Sequence, residues 1–298
     1  MRFFVFIVLT LLPCFAHAQN TENNIEQRIT ITPRTPLIDI MREDEPLLTG
    51  REDLILLIRP KLFTAYITPS IQYTDNAFLN DQNKENDLIT NLKAGIQFDT
   101  IIDNRINFFS GLSISAAQYQ DNSSLDYSFI EGSVGGQINI HSLFATLSYL
   151  PVVIYEDLFE DQIVALHRLN LVIEKPFLLD NGFFISPFIS GQLTPSDPAD
   201  FGYQQITGGI QAIKRWDQFL FSASASVYQK DYFDYFEDIT NESREDRGMT
   251  VSTSLQYTYR EGITLSASLN FTDNNSSLTQ NDYQTITVTP QVRFSFKF

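Results

Sequence analysis

This 298-residue chain has one cysteine, Cys14, one tryptophan, Trp216, and three histidines. Cys14 falls in a stretch with the marks of a removable leader, residues 1–18: a basic start at Arg2, an apolar run from Phe3 to Leu12, and Ala16-His17-Ala18 in the small-x-small form of a signal-peptidase site. A lipoprotein reading of Cys14 is opposed by Pro13 directly before it and by the lack of small residues upstream. A chain beginning near Gln19 holds no cysteine, which excludes a disulfide framework, a thiolate metal site and a cysteine nucleophile. No later segment reaches the roughly 18 consecutive apolar residues of a membrane helix. A glycine-rich phosphate loop, zinc-ligand spacing and a basic patch are also missing, so nucleotide and nucleic-acid functions are set aside.

Period-two alternation is present in quantity. From Ile286 to Phe298, Ile286, Val288, Pro290, Val292, Phe294, Phe296 and Phe298 alternate with Thr287, Thr289, Gln291, Arg293, Ser295 and Lys297. Successive strand residues face opposite ways, so this stretch has one apolar and one polar face over a length that can cross a membrane. The same reading predicts strands over 63–74, 87–100, 105–118, 127–140, 143–155 and 163–177. Six more are predicted over 183–193, 203–215, 219–229, 248–259, 263–272 and 283–298.

The connections alternate between short turns (101–104, 141–142, 178–182, 216–218, 260–262) and longer polar loops (75–86, 119–126, 156–162, 194–202, 230–247, 273–282). An even strand number with turns at one end and loops at the other is the plan of an all-β, transmembrane, antiparallel up-and-down β-barrel of about 12 strands. A β-sandwich has no reason to sort its loops this way. The predicted barrel covers residues 62–298, and residues 19–61, with Pro33, Pro36, Pro46 and Pro60, form an N-terminal periplasmic arm or plug. Leu54 to Ile58 is its one apolar patch.

The net charge is −16, and the acidic excess concentrates in the long loops. Glu156-Asp157-Leu158-Phe159-Glu160-Asp161 and the run from Asp231 to Asp238 carry hard oxygen ligands suited to a divalent cation, without calcium-loop spacing; no other cofactor is expected. Tyr232, Phe233, Asp234, Tyr235 and Phe236 interleave aromatics with acid, a loop suited to sugar stacking or to packing over the barrel mouth. Aromatic girdles are expected at Phe98, Phe108, Phe183, Trp216, Phe219 and Tyr259 on the turn side. On the loop side they are expected at Tyr73, Tyr119, Tyr155, Tyr228 and Tyr283.

The inward face is read as mostly Ser, Thr, Gly, Gln and Asn, small side chains that do not fill a tube. Lys93, Arg168, Arg293 and Lys297 are its expected cations and Glu131 and Glu174 its acids. They form a selectivity region or structural ion pairs, Arg168 with Glu174 among them. His141 sits in a short turn, and His167 lies within a strand with serines on its neighbours. No nucleophile motif marks any serine, so the chain is read as not being an enzyme.

The closing aromatic strand, with Phe294, Phe296 and terminal Phe298, resembles the C-terminal assembly signal of bacterial outer-membrane barrels. Ile67-Thr68-Pro69-Ser70-Ile71-Gln72-Tyr73-Thr74-Asp75-Asn76-Ala77-Phe78-Leu79, followed by Asp87-Leu88-Ile89-Thr90, resembles the opening of porin-like outer-membrane β-barrel proteins associated with exopolysaccharide secretion. These resemblances imply a Gram-negative outer membrane, contact with its lipid and lipopolysaccharide, insertion by the barrel assembly machinery, and a role in polysaccharide export, with no carried-over catalytic residue. Two functions remain open: a narrow channel, or a non-conducting scaffold that holds a polysaccharide or periplasmic partner through its loops or arm.

Overall fold

The computed structural model describes residues 62–298 apart from 82–83, 104–105, 141, 181 and 237–242. The expected leader and N-terminal arm lie outside the described residues. The strands are β1 (Phe63–Thr74), β2 (Asp87–Asp103), β3 (Ile106–Tyr119), β4 (Tyr127–Ile140), β5 (Leu143–Glu156), β6 (Gln162–Glu174) and β7 (Phe177–Asp180). They continue with β8 (Phe183–Thr194), β9 (Ser196–Asp197), β10 (Tyr203–Trp216), β11 (Phe219–Phe236), β12 (Ser243–Arg260), β13 (Ile263–Ser276) and β14 (Tyr283–Lys297). The single predicted strand over 163–177 breaks at Pro176, where a ring nitrogen cannot donate to the ladder, and β7 resumes the same register against β8. β9 likewise prolongs β8 beyond Pro195. The wall is thus a closed antiparallel barrel of twelve strands.

Neighbours in sequence are neighbours in the wall, and β14 returns to pair with β1 and close it. Phe63 and Phe298 lock the seam at the turn end by exchanging backbone bonds of 3.2 and 2.9 Å, with their rings stacked 5.8 Å apart. The turns are tight. Gly262 adopts φ 79°, and a side chain there would press on the carbonyl oxygen of Ser295, which is why glycine occupies it.

Alternation decides which face meets what. Ile67, Ile71, Leu92, Ile96, Leu112, Ile114, Leu147, Leu265, Leu269, Val288 and Phe296 all point outward and stay exposed. An apolar band of this extent is intolerable in water and natural in lipid, where a closed sheet leaves few backbone groups to be paired from outside.

Two expectations need correction. The loop predicted over 230–247 is mostly strand: β11 runs to Phe236 and β12 starts at Ser243, so the wall rises above the lipid there. Three of the five tyrosines assigned to the loop-side girdle face the interior instead. Tyr119 and Tyr283 are buried, and Tyr228 donates to Asn274 across 2.7 Å.

A sealed mouth over a polar lumen as candidate functional site

Where the strands rise toward the long loops, the interior changes from polar to apolar. Ile89, Ala117, Tyr119, Tyr127, Phe129, Val152, Ile154, Val164 and Leu166 point inward from β2 to β6 and pack into one cluster. The loops complete it from above with Ala77, Leu125 and Phe201. Val152, Ile154, Val164, Leu166, Leu125 and Ala77 each have 0% exposure, so water does not line this sector. Short 3₁₀ turns at Ser123–Leu125 and Ala199–Phe201 turn their last, apolar residue down into the barrel.

The other side of the mouth is closed by aromatic and ionic packing. Tyr203, Tyr232 and Leu278 form a second buried cluster, the two rings 5.8 Å apart. Arg244 lies 4.4 Å from the Tyr232 ring centroid and makes two bonds to Asp246, 3.0 Å from Nε and 2.8 Å from Nη2. Lys230 sits 4.6 Å from the Tyr203 ring and donates to the Tyr232 hydroxyl at 3.1 Å. The outward neighbours of Asp246, Glu245 and Arg247, are exposed and lie 3.7 Å apart, so this cluster stands above the apolar band. Burial opposes the charge of Asp246. The charge and hydrogen bonds of Arg244, with Lys230 and Ser276, outweigh it and hold the carboxyl below the usual carboxylate range.

The loops are tied down by carboxylates that accept backbone N–H groups. Asp87, itself buried, accepts from Gln120 (3.1 Å), Asp121 (3.2 Å) and Asn122 (3.0 Å), gathering the β3–β4 loop. Asp75 accepts from Ile286 at 2.7 Å, Asp81 from Gln284 at 3.2 Å and Asp282 from Ser276 at 2.6 Å. These four carboxylates therefore serve as loop anchors. Among the described residues, no three acidic or histidine side chains converge as a metal-ligand set.

Beneath the seal the lumen is polar and partly exposed. Ser222 and Ser254 bond across 2.7 Å and Gln137 donates to Thr146 at 3.2 Å, while Thr289, Ser268 and Ser70 remain half-buried and Gln291 exposed. Of the expected lumen charges, Lys93 and Glu131 pair at 3.2 Å across the β3 face, and Lys93 also lies 5.8 Å from the Phe129 ring. Arg293 stacks 4.3 Å from the Tyr66 ring. Arg168 is buried on β6, six positions from Glu174 on the same strand; Glu174 accepts from Ser186 at 3.2 Å. Lys297 pairs in register with Thr64 at the turn end of the seam. These charges are spread over several depths and do not form one selectivity ring.

The aromatic-acidic run falls apart as a loop motif. Tyr232 points into the mouth, Phe233 points outward, and Asp234, Tyr235 and Phe236 continue the backbone of β11. Phe294, Phe296 and Phe298 all face lipid. His141 is outside the described residues. His167 turns away from the serines to the outer wall, where Tyr149 Oη lies 2.7 Å from its Nδ1. Sequence reading missed the apolar seal, although two runs signal it: Val152-Val153-Ile154 and Ile163-Val164-Ala165-Leu166 are apolar on both faces, at the loop ends of β5 and β6.

The closed wall and its lipid-facing band define an outer-membrane β-barrel, and the protein belongs in the outer membrane of a Gram-negative bacterium. No family model matches the sequence, and no curated protein is detectably similar to it. Solved structures do share the fold. The COG4313 outer membrane channel from Pseudomonas putida F1 superposes with a TM-score of 0.52 at 10% identity, covering 80% of this chain and 97% of that one. LpxR from Salmonella typhimurium gives 0.46 at 10% identity over 77% and 99% of the two chains. The β domain of the Bordetella autotransporter BrkA gives 0.43 at 12% identity over 79% and 100%. The expectation of a chain that is not an enzyme is corrected here: outer-membrane enzymes, LpxR among them, are found among the solved structures that share the barrel fold.

Proposed function

We propose that this protein is an outer-membrane channel for small polar solutes, held shut at its extracellular mouth. The observation that carries the reading is the contrast inside one barrel: a lumen lined by hydroxyl and amide side chains, ending beneath apolar side chains with no exposure. A hydrated lower lumen is suited to passage, and the packed mouth sets the condition for it. Conduction requires Leu125 and Phe201 to lift away with their loops. Export of a polysaccharide, implied by the resemblance of the first hairpin, demands a wider displacement of the same loops.

The test is conductance in planar bilayers. The natural chain is expected to show rare, brief openings, and Leu125→Ser with Phe201→Ser long-lived stepwise currents. A second reading, a non-conducting barrel that holds a partner, is favoured by the completeness of the seal. Silence from both proteins, with folding verified by heat-modifiable gel migration, would select it and reject the channel.

A further inference from the structure

The closing seam is incomplete at its centre. Register partners between β1 and β14 run from Thr64↔Lys297 to Ile67↔Phe294 and resume at Tyr73↔Val288, with only Ser70↔Gln291 between. Each strand is continuously paired on its other side, β1 to β2 from Phe63↔Phe98 to Thr74↔Asp87 and β13 to β14 from Ile263↔Phe294 to Asn274↔Tyr283. The shortfall therefore belongs to the seam and not to either strand.

Two prolines explain it. Seam-facing residues alternate along an antiparallel pair. Phe63 and Phe298 exchange both bonds at one end, and Asp75 donates to Ile286 at the other. Counting by twos from Phe63 makes Pro69 a seam-facing residue of β1; counting back from Phe298 makes Pro290 one of β14. Neither has an N–H to give, so two successive bonded pairs each lose a bond. Both prolines are exposed on the lipid face, midway along their strands. Behind them the wall is polar: Thr289 Oγ1 lies 3.5 Å from Gln72 Oε1, and Gln72 Nε2 is buried with no partner among the described residues.

We infer that the barrel opens sideways between β1 and β14 and passes an amphipathic lipid, its head group in the polar lumen and its acyl chains in the bilayer. The sealed mouth denies a bulky lumen solute the upward route, the lumen supplies hydroxyl and amide partners for a head group, and the proline pair sets the weakest line of the wall between that lumen and the hydrocarbon. The inference uses the seal and the polar lumen but not conduction, so the bilayer recordings and the following experiment fail independently.

Ser268 faces the lumen on β13, in register with Thr289 and directly behind the seam. The full-length protein carrying Cys14→Ser and Ser268→Cys is folded into phosphatidylcholine vesicles containing a phospholipid with a maleimide head group. A water-soluble maleimide is used in parallel. Both reagents are expected to label Cys at 268, and Pro69→Val with Pro290→Val is expected to slow the lipid reagent by about tenfold while leaving the soluble one unchanged, because two ladder bonds are restored. The single Pro290→Val variant, with an intermediate rate, covers the case in which the double variant misfolds on the gel. Labelling by the soluble reagent alone, labelling by neither, or a lipid rate indifferent to the valines overturns the inference.

Discussion

Tyr66 lies across the wall onto Gly95, its register partner on β2, so closely that a methyl group on Gly95 would come within 2.7 Å of the phenol oxygen. The arrangement recurs: Phe188 covers Gly209 on β10, Tyr228 covers Gly248 on β12 and Phe109 covers Gly135 on β4, each a register pair. Glycine gives each ring room to lie down on the wall.

Gly95→Ala forces Tyr66 off this position and away from Arg293. Overpacking of this kind costs roughly 1–3 kcal/mol. Urea unfolding in lipid vesicles should show that loss, and Tyr66→Ala in the Gly95→Ala background should recover part of it. An additive double mutant would dismiss the contact.

Asp246→Ala leaves Arg244 charged and buried, a loss on the order of 3–5 kcal/mol. The natural protein carries the corresponding pH dependence. Its folded carboxyl sits below the ordinary aspartate value of 3.8, so the pair stabilises fully above that value and is lost as pH falls through the depressed one. Acid titration of the unfolding midpoint should fall in the natural chain below that point and stay flatter in Asp246→Asn, provided the latter folds.

Asp87→Ala strips three loop amides of their acceptor. Limited proteolysis should then cut within residues 120–126 at a rate at least tenfold above that of the natural chain, since about 1–3 kcal/mol of loop anchoring is removed. Asp87→Asn keeps one acceptor oxygen and should fall between the two. Equal cutting in all three would show that Asp87 does not hold the loop.

Phe298→Ala removes the ring that stacks on Phe63 at the start of the seam. Folding into vesicles should slow several-fold, with the mature stability changed by only about 1 kcal/mol, as for the loss of one aromatic pair. A change in stability without a change in rate would assign Phe298 to the finished barrel and not to its assembly.

The wall was legible because lipid enforces period two. The predicted bounds of Phe63–Thr74 and Tyr127–Ile140 match the structure, where one face must be apolar and the other need not be. The rule lapses above the lipid. β11 continues through Asp231, Tyr232 and Phe233 with water outside and a packed mouth inside, so polar and aromatic side chains occur on both faces and the pattern reads as a loop. The seal was hidden for the complementary reason: Val152 and Ile154 are apolar inward while Val153 is apolar outward, and a run without alternation does not say that its inner half meets other strands' side chains. Lys93 and Glu131 were both legible as lumen charges, but their pairing depends on the register of three strands, which no local pattern encodes.

The apolar seal divides the protein by the origin of its cohesion. The upper part gathers greasy side chains around its own axis, as a water-soluble domain does, and draws its stability from excluding water within. The lower part is inside out and depends on the surrounding bilayer. Stripping lipid with a harsh detergent should therefore unravel the molecule from the turns upward, leaving the loop-end cluster as the last ordered remnant and as the place from which refolding restarts.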